Sequence, residues 1–303
     1  MSTVTVVIPA FNAESYIDAA LGSIAEQTLR DVEVILIDDG STDGTLRRAA
    51  RFAGALDQKI VRQANAGPAA ARNTGVRRAL GRYCAFLDAD DVMLPERLAA
   101  QAALLDANPQ LGLVYSDLMT FDERGTVHRT RRAFSELHDG TVLDRLLLDN
   151  FITTSTVMAP KERLLDAGLF SEQRRVAEDY ELWLRIAARW RVGMIDRPLV
   201  RYRYRPGSLS DDRLHCARCA LEVIEAFWQE HSDYFRNHPG VYRRSLARHL
   251  ASAGAAALAE GRGGIALGYL LKSLKHDPRA ADTWKSVAKA LAFAGRRPAR
   301  QTA

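Results

Sequence analysis

The chain has 303 residues, enough for one large domain or two smaller ones, and its 47% hydrophobic and 26% charged residues are typical of globular proteins. Its apolar runs are all shorter than the roughly 18 residues of a membrane-spanning helix, so the composition predicts no transmembrane segment. The net charge of +5 comes without a recognised nucleic-acid-binding motif, and we therefore expect no nucleic-acid partner.

Basic residues concentrate in three short segments. The clusters are Arg129, Arg131 and Arg132; Arg201, Arg203 and Arg205; and Arg296, Arg297 and Arg300. Such clusters attract anionic partners, and they favour a nucleoside diphosphate, an anionic glycan or an anionic membrane surface.

The cysteines indicate the compartment. There are three of them, Cys84, Cys216 and Cys219, and no basic and apolar signal segment precedes the strand-like residues that begin at Val4. An odd number of thiols without a signal segment favours a reducing environment. We therefore expect a cytoplasmic protein, and the basic clusters are compatible with peripheral attachment to the cytoplasmic face of an anionic membrane.

Strand-like and helical segments alternate over residues 1–120. Mostly apolar runs predict the strands Val4–Ile8, Val32–Ile37 and Tyr83–Leu87. Two further segments, Lys59–Arg62 and Leu111–Phe121, are also predicted to be strands. Helical patterns lie between them, at about 12–27, 43–52, 68–80 and 95–107, and Asn12 or Ser15 can cap the first of these helices. Strands that alternate with helices predict right-handed βαβ units and a mostly parallel sheet, hence an α/β fold.

The pattern changes after residue 120. We predict a polar loop over 122–138, a helix over 141–148, a strand over 151–158 and a short helix over 160–168. A helix over 178–189, a strand over 192–195 and a basic loop over 199–210 follow. From Asp211 onward the apolar spacing is helical throughout, so we expect a domain over 1–210 and a helical region over 211–303.

Three carboxylates follow the fourth predicted strand. Asp88, Asp90 and Asp91 come directly after Tyr83–Leu87, and ligands bind at this carboxyl edge in open α/β sheets. Carboxylates this close repel one another unless a cation neutralises them, and Mg²⁺ or Mn²⁺ prefers such oxygen ligands. The sequence leaves two interpretations open: a metal–diphosphate site, or a solvated acidic turn before the next helix.

Other polar residues are candidates for the same edge. Asp38 and Asp39 end the second predicted strand, where a carboxylate can accept a hydrogen bond from a nucleotide base or form a turn. Arg72 can bind a phosphate or lie on the surface. Glu178 and Asp179 begin a helix, where acids stabilise the helix dipole, but a carboxylate in a first turn can also act as a general base.

Four segments in this order resemble the family 2 glycosyltransferases, which have the GT-A fold. They are TVVIPAFN at 5–12, DVEVILIDDGSTDGT at 31–45, NAGPAAARNTGVRRALGRYCAFLDADD at 65–91 and AEDYELWLR at 177–185. The resemblance covers about residues 1–210. It implies a Rossmann-like, nucleotide-sugar-binding half over 1–120, an acceptor and catalytic half over 121–210, and a C-terminal helical extension.

The resemblance implies residues for the donor nucleotide. By this resemblance Pro9 and Phe11 line the nucleotide pocket, and Asp39 contacts the base, which is typically uracil. Arg72 is expected near the nucleotide. The segment YRYRPGSLS at 202–210 is similar to the family's YR-x-H-x-x-S-x-S element, in which Arg205 replaces the common histidine. A permanent cation at this position can still bind a diphosphate, so Arg205 is a candidate donor-binding residue.

The resemblance also implies residues for the metal and for catalysis. Asp88 and Asp90 match the family's DXD element, with Asp90 as the more direct ligand of Mn²⁺ or Mg²⁺ and Asp88 as a second ligand or a contact to ribose or sugar. Asp179 matches the catalytic base. The implied reaction is an inverting transfer of a sugar from a nucleoside-diphosphate donor, with a UDP-sugar expected, to a hydroxyl of a glycan or lipid-linked acceptor in surface polysaccharide or glycoconjugate biosynthesis.

Two alternatives remain open on the sequence. One is a non-catalytic scaffold built on a decayed transferase domain, which the presence of Asp39, Asp88, Asp90 and Asp179 argues against. The other is a sugar nucleotidyltransferase, but the N-terminal TVVIPAFN lacks the glycine-rich phosphate loop with which such enzymes usually begin. The product separates the three functions. A glycosyltransferase releases a free nucleoside diphosphate, a sugar nucleotidyltransferase releases pyrophosphate, and a scaffold forms no product.

Overall fold

The computed structural model describes residues 3–122, 124–131, 135–205, 207–208 and 211–294. The chain divides into two compact units. The α/β unit comprises Met1–Leu146 and Asn150–Arg205, and the helical unit comprises Leu147–Asp149 and Pro206–Ala303. Some residues of the sequence analysis lie outside the described residues. They are Arg132, then Pro206, Leu209 and Ser210 of the 202–210 segment, and the basic tail with Arg296, Arg297 and Arg300.

A single mixed sheet forms the centre of the α/β unit. Its strands are β1 (Val4–Ala10), β2 (Val32–Asp38), β3 (Asp57–Arg62), β4 (Tyr83–Phe86), β5 (Val92–Met93), β6 (Leu111–Phe121), β7 (Val127–Thr130), β8 (Met158–Pro160) and β9 (Arg191–Arg203). They are ordered β3-β2-β1-β4-β8-β6-β9-β5, and β7 pairs with β6 outside this path. The four strands β3-β2-β1-β4 are parallel, as is the long β6–β9 pair, so the expected α/β fold is confirmed.

Helices cover this sheet and carry several of the candidate residues. They are α1 (Ile17–Ala25), α2 (Thr45–Ala49), α3 (Pro68–Arg78), α4 (Arg97–Ala107), α5 (Leu143–Leu146), α6 (Lys161–Asp166) and α7 (Glu178–Ala187). Helix α3 lies directly on β1, because a Cβ atom on Gly75 would collide with the side chain of Val7. This close approach fixes the position of α3, and with it Arg72, over the sheet.

The buried core explains the continuous apolar strands. Val6 on β1, Val34 on β2 and Ala85 on β4 are fully buried, and they pack with helix residues such as Leu21 and Leu98. A parallel strand with both faces covered buries every side chain, so its sequence shows no polar alternation.

Besides the short strand β5 (Val92–Met93), which was not predicted, three segments of the α/β unit differ from the sequence prediction. The predicted loop over 122–138 contains β7, which pairs antiparallel with β6. This strand lies at an edge of the sheet, and its Val127 is 47% exposed. It therefore lacks the apolar pattern of a buried strand, from which a strand could have been predicted. The predicted strand over 151–158 begins only at Met158. Its Thr154–Thr156 part is a 3₁₀ turn, in which the Thr156 hydroxyl donates to the Thr153 carbonyl.

The third difference concerns the basic segment after residue 199. We predicted a loop over 199–210, but β9 continues to Arg203 because it stays paired with β6 as far as Phe121. The capping prediction for α1 was also wrong. Asn12 instead adopts a positive φ of 49°, and its side-chain oxygen accepts the backbone N–H of Thr42, while α1 has no side-chain cap.

The helical unit consists of packed helices around its own small core. The helices are α8 (Arg213–Glu230), α9 (Ser232–Asn237), α10 (Pro239–Ala259), α11 (Gly263–His276) and α12 (Ala281–Ala294). Ala253 and Ala257 of α10 pack with Leu270 of α11 and Ala290 of α12. Within the described part of the chain, no helix has the length and apolar character needed to cross a membrane.

Candidate active site

The carboxyl edge of the parallel strands brings the predicted donor residues together. Strand β1 pairs with β2 up to Ala10 and Asp38, and with β4 up to Val7 and Phe86. Pro9 therefore lies at the end of β1, the Asp38–Asp39 pair at the end of β2, and Asp88 and Asp90 just beyond β4. This is the edge at which ligands bind in open α/β sheets.

Asp39 is buried and holds the segment that leads into α3. Its Oδ1 accepts hydrogen bonds from the Gln63 side chain (2.8 Å) and the Ala66 backbone N–H (2.9 Å), and its Oδ2 accepts the Gly67 N–H at 2.8 Å. Gly67 has a φ of 90°, a conformation that favours glycine. A carboxylate oxygen can accept two hydrogen bonds, so these contacts are compatible with the predicted contact to a base, which stays a prediction.

The neighbours of Asp39 at this edge of the sheet differ in how far their side chains are exposed. Pro9 is half-buried, whereas the Phe11 ring is 52% exposed just beyond β1, where an aromatic surface is available for stacking. Asp38 is fully buried. Its side chain accepts a hydrogen bond from the Ser41 N–H and pairs with Arg62 Nε at 3.3 Å, so it stabilises the turn after β2.

Arg72 joins the acids after β4 to the acids of α7. Its Nη2 donates to Asp88 Oδ1 and its Nη1 to Glu178 Oε1, both at 2.7 Å, and the side chain is only 6% exposed. The guanidinium also lies 5.5 Å from the centre of the Phe170 ring. The charges of Asp88 and Glu178 raise the pKa of Arg72 against the opposing effect of burial. Both ends of the fork are directed at carboxylates, and a contact of Arg72 with the nucleotide stays a prediction.

Asp88 and Asp90 each face an arginine. Beside the contact of Asp88 with Arg72, Asp90 Oδ2 accepts a hydrogen bond from Arg205 Nε at 2.7 Å. The Asp88 backbone N–H donates to Ser155 Oγ at 3.0 Å, which ties the acidic turn to the 3₁₀ turn before β8. Burial, followed by the nearby charge of Asp88, raises the pKa of Asp90. A cation at this edge would relieve that repulsion.

Asp91 lies beneath this turn and positions the end of β9. Its Oδ1 accepts the Arg203 backbone N–H at 2.8 Å, while Arg203 Nε donates to the Asp90 carbonyl at 2.9 Å. The guanidinium groups of Arg203 and Arg205 lie 5.1 and 5.4 Å from the centre of the Tyr16 ring. These contacts hold the end of β9 against the acidic turn, so that Arg205 reaches Asp90.

The chemistry of this donor set fits a divalent cation shared with a ligand. Among the residues that the structure describes, no group of three or more His, Cys, Asp or Glu side chains is arranged to hold a metal ion by itself. Mg²⁺ is usually bound by one or two carboxylates together with substrate phosphates. Asp88 and Asp90 supply such a pair, and the two arginine contacts engage one oxygen of each carboxylate.

The start of α7 presents the predicted base. Ala177 has a φ of 63° and turns the chain into the helix, after which Glu178 faces Arg72 and Asp179 faces Thr154. Asp179 Oδ2 accepts the Thr154 hydroxyl at 2.7 Å, and Oδ1 accepts the Tyr180 N–H at 2.6 Å. Burial raises the pKa of Asp179, whereas these two hydrogen bonds and the charge of Arg72 act to lower it. Burial and the charge of Asp179 raise the pKa of Glu178 to about 7, although the charge of Arg72 acts to lower it.

Sequence reasoning missed several residues that support these carboxylates. Thr154 and Ser155 lie in the segment predicted as a strand. Asp91 was predicted, with Asp88 and Asp90, to belong to a metal–diphosphate site or an acidic turn, but its contact with the Arg203 backbone was not predicted. The alternation of Arg201, Arg203 and Arg205 was visible in the sequence, but only the structure shows that Arg203 contacts Asp90 and Asp91 and that Arg205 contacts Asp90.

The sheet order and the covering helices define a class of protein, an α/β protein with the GT-A architecture and a helical C-terminal part. Residues 5–168 match the family model of glycosyl transferase family 2, which is more than half of the chain. The chain therefore belongs to glycosyl transferase family 2.

Two relatives illustrate the range of similar proteins. An uncharacterized glycosyltransferase of Rickettsia conorii is 32% identical over 205 residues, which are 68% of this chain and 33% of that protein. The chain thus spans about a third of the length of this relative. The UDP-Glc:alpha-D-GlcNAc-diphosphoundecaprenol beta-1,3-glucosyltransferase WfgD of Escherichia coli is 27% identical over 226 residues, 74% of this chain and 86% of that protein.

Solved structures with low sequence identity share the fold. TarS 1–349 of S. aureus, in complex with UDP-GlcNAc, superposes with a TM-score of 0.63 at 20% identity over 97% of this chain and 92% of that one. The mannosyltransferase PcManGT of Pyrobaculum calidifontis, in complex with GDP-Man and Mn²⁺, gives a TM-score of 0.62 at 22% identity, covering 96% of this chain and 86% of the other.

Proposed function

We propose that the chain is an inverting glycosyltransferase, which moves a sugar from a nucleoside-diphosphate donor to an acceptor hydroxyl with the help of a divalent cation. The observation that carries the proposal is the buried Arg72, which joins Asp88 to Glu178, the neighbour of Asp179. A single side chain thereby connects one predicted donor carboxylate to the first turn of the helix that carries the predicted base. Such a connection suits a reaction in which donor and acceptor must meet in one geometry.

Asp179 is the proposed catalytic base. It accepts the proton of the acceptor hydroxyl while that oxygen attacks the anomeric carbon, and the bond to the leaving nucleoside diphosphate breaks on the opposite face of the sugar. The raised pKa of Asp179 brings its proton affinity closer to that needed for catalysis near neutral pH. Thr154 holds the carboxylate in place through the Oδ2 contact, so that its orientation is set before the acceptor binds.

The donor is proposed to bind along the carboxyl edge. Pro9 and Phe11 would flank the base, Asp39 would accept a base N–H, and Arg205 and Arg72 would supply positive charge near the diphosphate. A UDP-sugar is the proposed donor. The similar proteins support it, since WfgD is a UDP-Glc-dependent glucosyltransferase and a TarS structure is in complex with UDP-GlcNAc.

The proposed cation is Mn²⁺ or Mg²⁺, held by Asp90 and Asp88 together with the donor diphosphate. When bound there, it would neutralise negative charge that develops on the leaving diphosphate. The described Mn²⁺ complex of PcManGT supports this choice. The residues of this chain contribute the oxygen ligands and keep them together through the contacts of Arg72 and Arg205.

The acceptor is proposed to be a glycan or a lipid-linked saccharide in surface polysaccharide or glycoconjugate biosynthesis. The diphosphoundecaprenol-linked acceptor in the name of WfgD supports a lipid-linked substrate. A lipid-linked acceptor would require the protein to work in the cytoplasm at the membrane face. The basic clusters of the sequence suit such a peripheral association with anionic lipid.

The test combines donor binding with turnover in Asp179→Asn. We expect UDP with Mn²⁺ to raise the melting temperature of both wild type and variant, because a ligand that binds the folded state stabilises it. Release of UDP from a UDP-sugar should fall by roughly 10²–10⁴ in the variant. Undiminished transfer in the variant would remove Asp179 from its role. Donor binding without any transfer by the wild type, over a panel of sugars and acceptors, would favour the scaffold.

A further inference from the structure

Helix α12 has an apolar surface that the core of the helical unit does not cover. Thr283, Val287 and Ala290 are buried, and the exposed flank of the helix beside them carries Trp284, which is 51% exposed, and Leu291, which is 54% exposed. Residues spaced by four and seven positions share one face of a helix, so Trp284, Ala288 and Leu291 form a continuous stripe. We call these three residues the α12 stripe.

The indole of Trp284 is held in place at this surface. Its Nε1 donates a hydrogen bond to the Pro278 carbonyl at 2.9 Å, so the polar end of the ring is satisfied within the helical unit. Half of the side chain nevertheless stays in contact with solvent. A fixed, half-exposed tryptophan is an amphipathic group of the kind that is enriched at membrane–water interfaces.

Lysines border the α12 stripe. Lys285 and Lys289 are exposed and lie one residue further along the helix than Trp284 and Ala288, so they form the adjacent row of the surface. Over residues 263–294, the basic side chains Lys272, Lys275, Arg279, Lys285 and Lys289 outnumber the acids Asp277 and Asp282. Asp282 is itself paired with Lys285 at 2.8 Å. The α12 surface thus combines exposed apolar side chains with two neighbouring lysines.

We propose that the α12 stripe and its flanking lysines dock onto an anionic lipid surface. An interfacial helix needs an apolar face with large side chains and lysines that reach the lipid headgroups, and α12 has both. A second copy of this chain is a poorer occupant, because it would place like charges opposite the lysines. This inference names the surface for the membrane association proposed above, and its test does not depend on glycosyl transfer.

The experiment is co-sedimentation of the full chain with phosphatidylcholine vesicles, with and without phosphatidylglycerol. We expect binding to the anionic vesicles only, and a loss of at least about tenfold in Trp284→Ala/Leu291→Ala, which removes most of the exposed apolar surface. Lys285→Gln/Lys289→Gln should lose on the order of fivefold for each lysine at low salt. Leu80→Ala is the control. Leu80 is 62% exposed but lies in the α/β unit, so this variant should bind the vesicles like the wild type.

A second measurement covers the case in which the alanine variant fails to fold. Brominated lipids should quench tryptophan fluorescence of the wild type, and the part of the quenching that is lost in Trp284→Phe reports contact of this side chain with the bilayer. Equal vesicle binding by wild type and stripe variants, or no binding by the wild type, would overturn the proposal. Concentration-dependent dimers that the stripe variants abolish would overturn it in favour of a second copy. A UDP-dependent rise in melting temperature that persists in the stripe variants would keep the proposed function separate from this result.

Discussion

Replacing Arg72 by methionine tests whether the buried ion-pair network holds the candidate site together. The substitution keeps a long apolar side chain on α3 but removes the guanidinium that donates to Asp88 and Glu178. If the network is a structural part of the site, this single change should destabilise the α/β unit and weaken donor binding at the same time.

The burial of the two ion pairs gives the expected loss of unfolding free energy. Each hydrogen bond to a charged group contributes about 1.5–3 kcal/mol, and removing one partner of a buried ion pair costs about 3–5 kcal/mol. The Glu178 side chain is 9% exposed and would be left without its cation, whereas Asp88 is 31% exposed and can be hydrated. We therefore expect Arg72→Met to lower the free energy of unfolding by about 3–5 kcal/mol at a pH above the Glu178 pKa of about 7, mostly through the ionised Glu178.

Urea unfolding followed by circular dichroism measures this loss, and the same helix offers a matched control. Arg77 also lies on α3, but it is 56% exposed and pairs with the exposed Glu172 at 3.6 Å. Arg77→Met should therefore cost about 0–1 kcal/mol. In Arg72→Met/Glu178→Gln the loss should be smaller than in Arg72→Met, because no uncompensated charge remains at Glu178. Equal stabilities of Arg72→Met and Arg77→Met would refute the reasoning.

Three further predictions concern the carboxylates. Thr154→Val removes the hydroxyl that holds down the pKa of Asp179, so the acid limb of the kcat profile should move to higher pH; an unmoved limb would mean that another group titrates in turnover. The pKa of Glu178, about 7, exceeds its unfolded value of 4.5, so the protonated form contributes stability that is complete below pH 4.5 and lost as the pH rises through 7. Glu178→Gln cannot titrate, and its free energy of unfolding should lack this decline of about 3 kcal/mol, measured by urea unfolding at each pH. Asp90→Asn should abolish the Mn²⁺-dependent part of the melting-temperature rise with UDP, and a full Mn²⁺ effect in this variant would exclude Asp90 as a ligand.

The sequence predicted the elements whose signal is local. Strands β1, β2 and β4 are mostly apolar because parallel strands are covered on both faces, with the hydrogen-bonded pair Thr5 and Glu33 as the polar exceptions. The acids at the strand ends follow within a few residues. Gly67 and Pro68 likewise marked the start of α3 before any partner was known. In each case, the residues that specify the element are also the residues that form it.

The contacts that assemble the site could not be predicted in this way, because their partners are distant in sequence. Arg72 and Glu178 are 106 positions apart, and the same arginine would look identical on a solvated helix face. Arg97 is a clearer case. It lies in a helix whose pattern suggests a surface charge, yet it is fully buried and donates to the carbonyls of Phe86 and Val157, which ties β4 to the turn that carries Thr154.

Arg205 and Arg72 give the two predicted metal carboxylates different surroundings. Arg72 is buried and bonded to carboxylates on both sides, so it stays in place whatever binds at the edge. Arg205 is 40% exposed and contacts Asp90 through one nitrogen, so it can turn towards a diphosphate at little cost. A guanidinium has no lone pair available for a metal, so Arg205 cannot itself be a metal ligand. The charge of Arg205 next to Asp90 should therefore weaken the binding of a free cation at this carboxylate. A cation that arrives with a nucleoside diphosphate meets less opposition, because Arg205 can then bind the phosphate oxygens, and the arrangement favours joint binding of cation and donor.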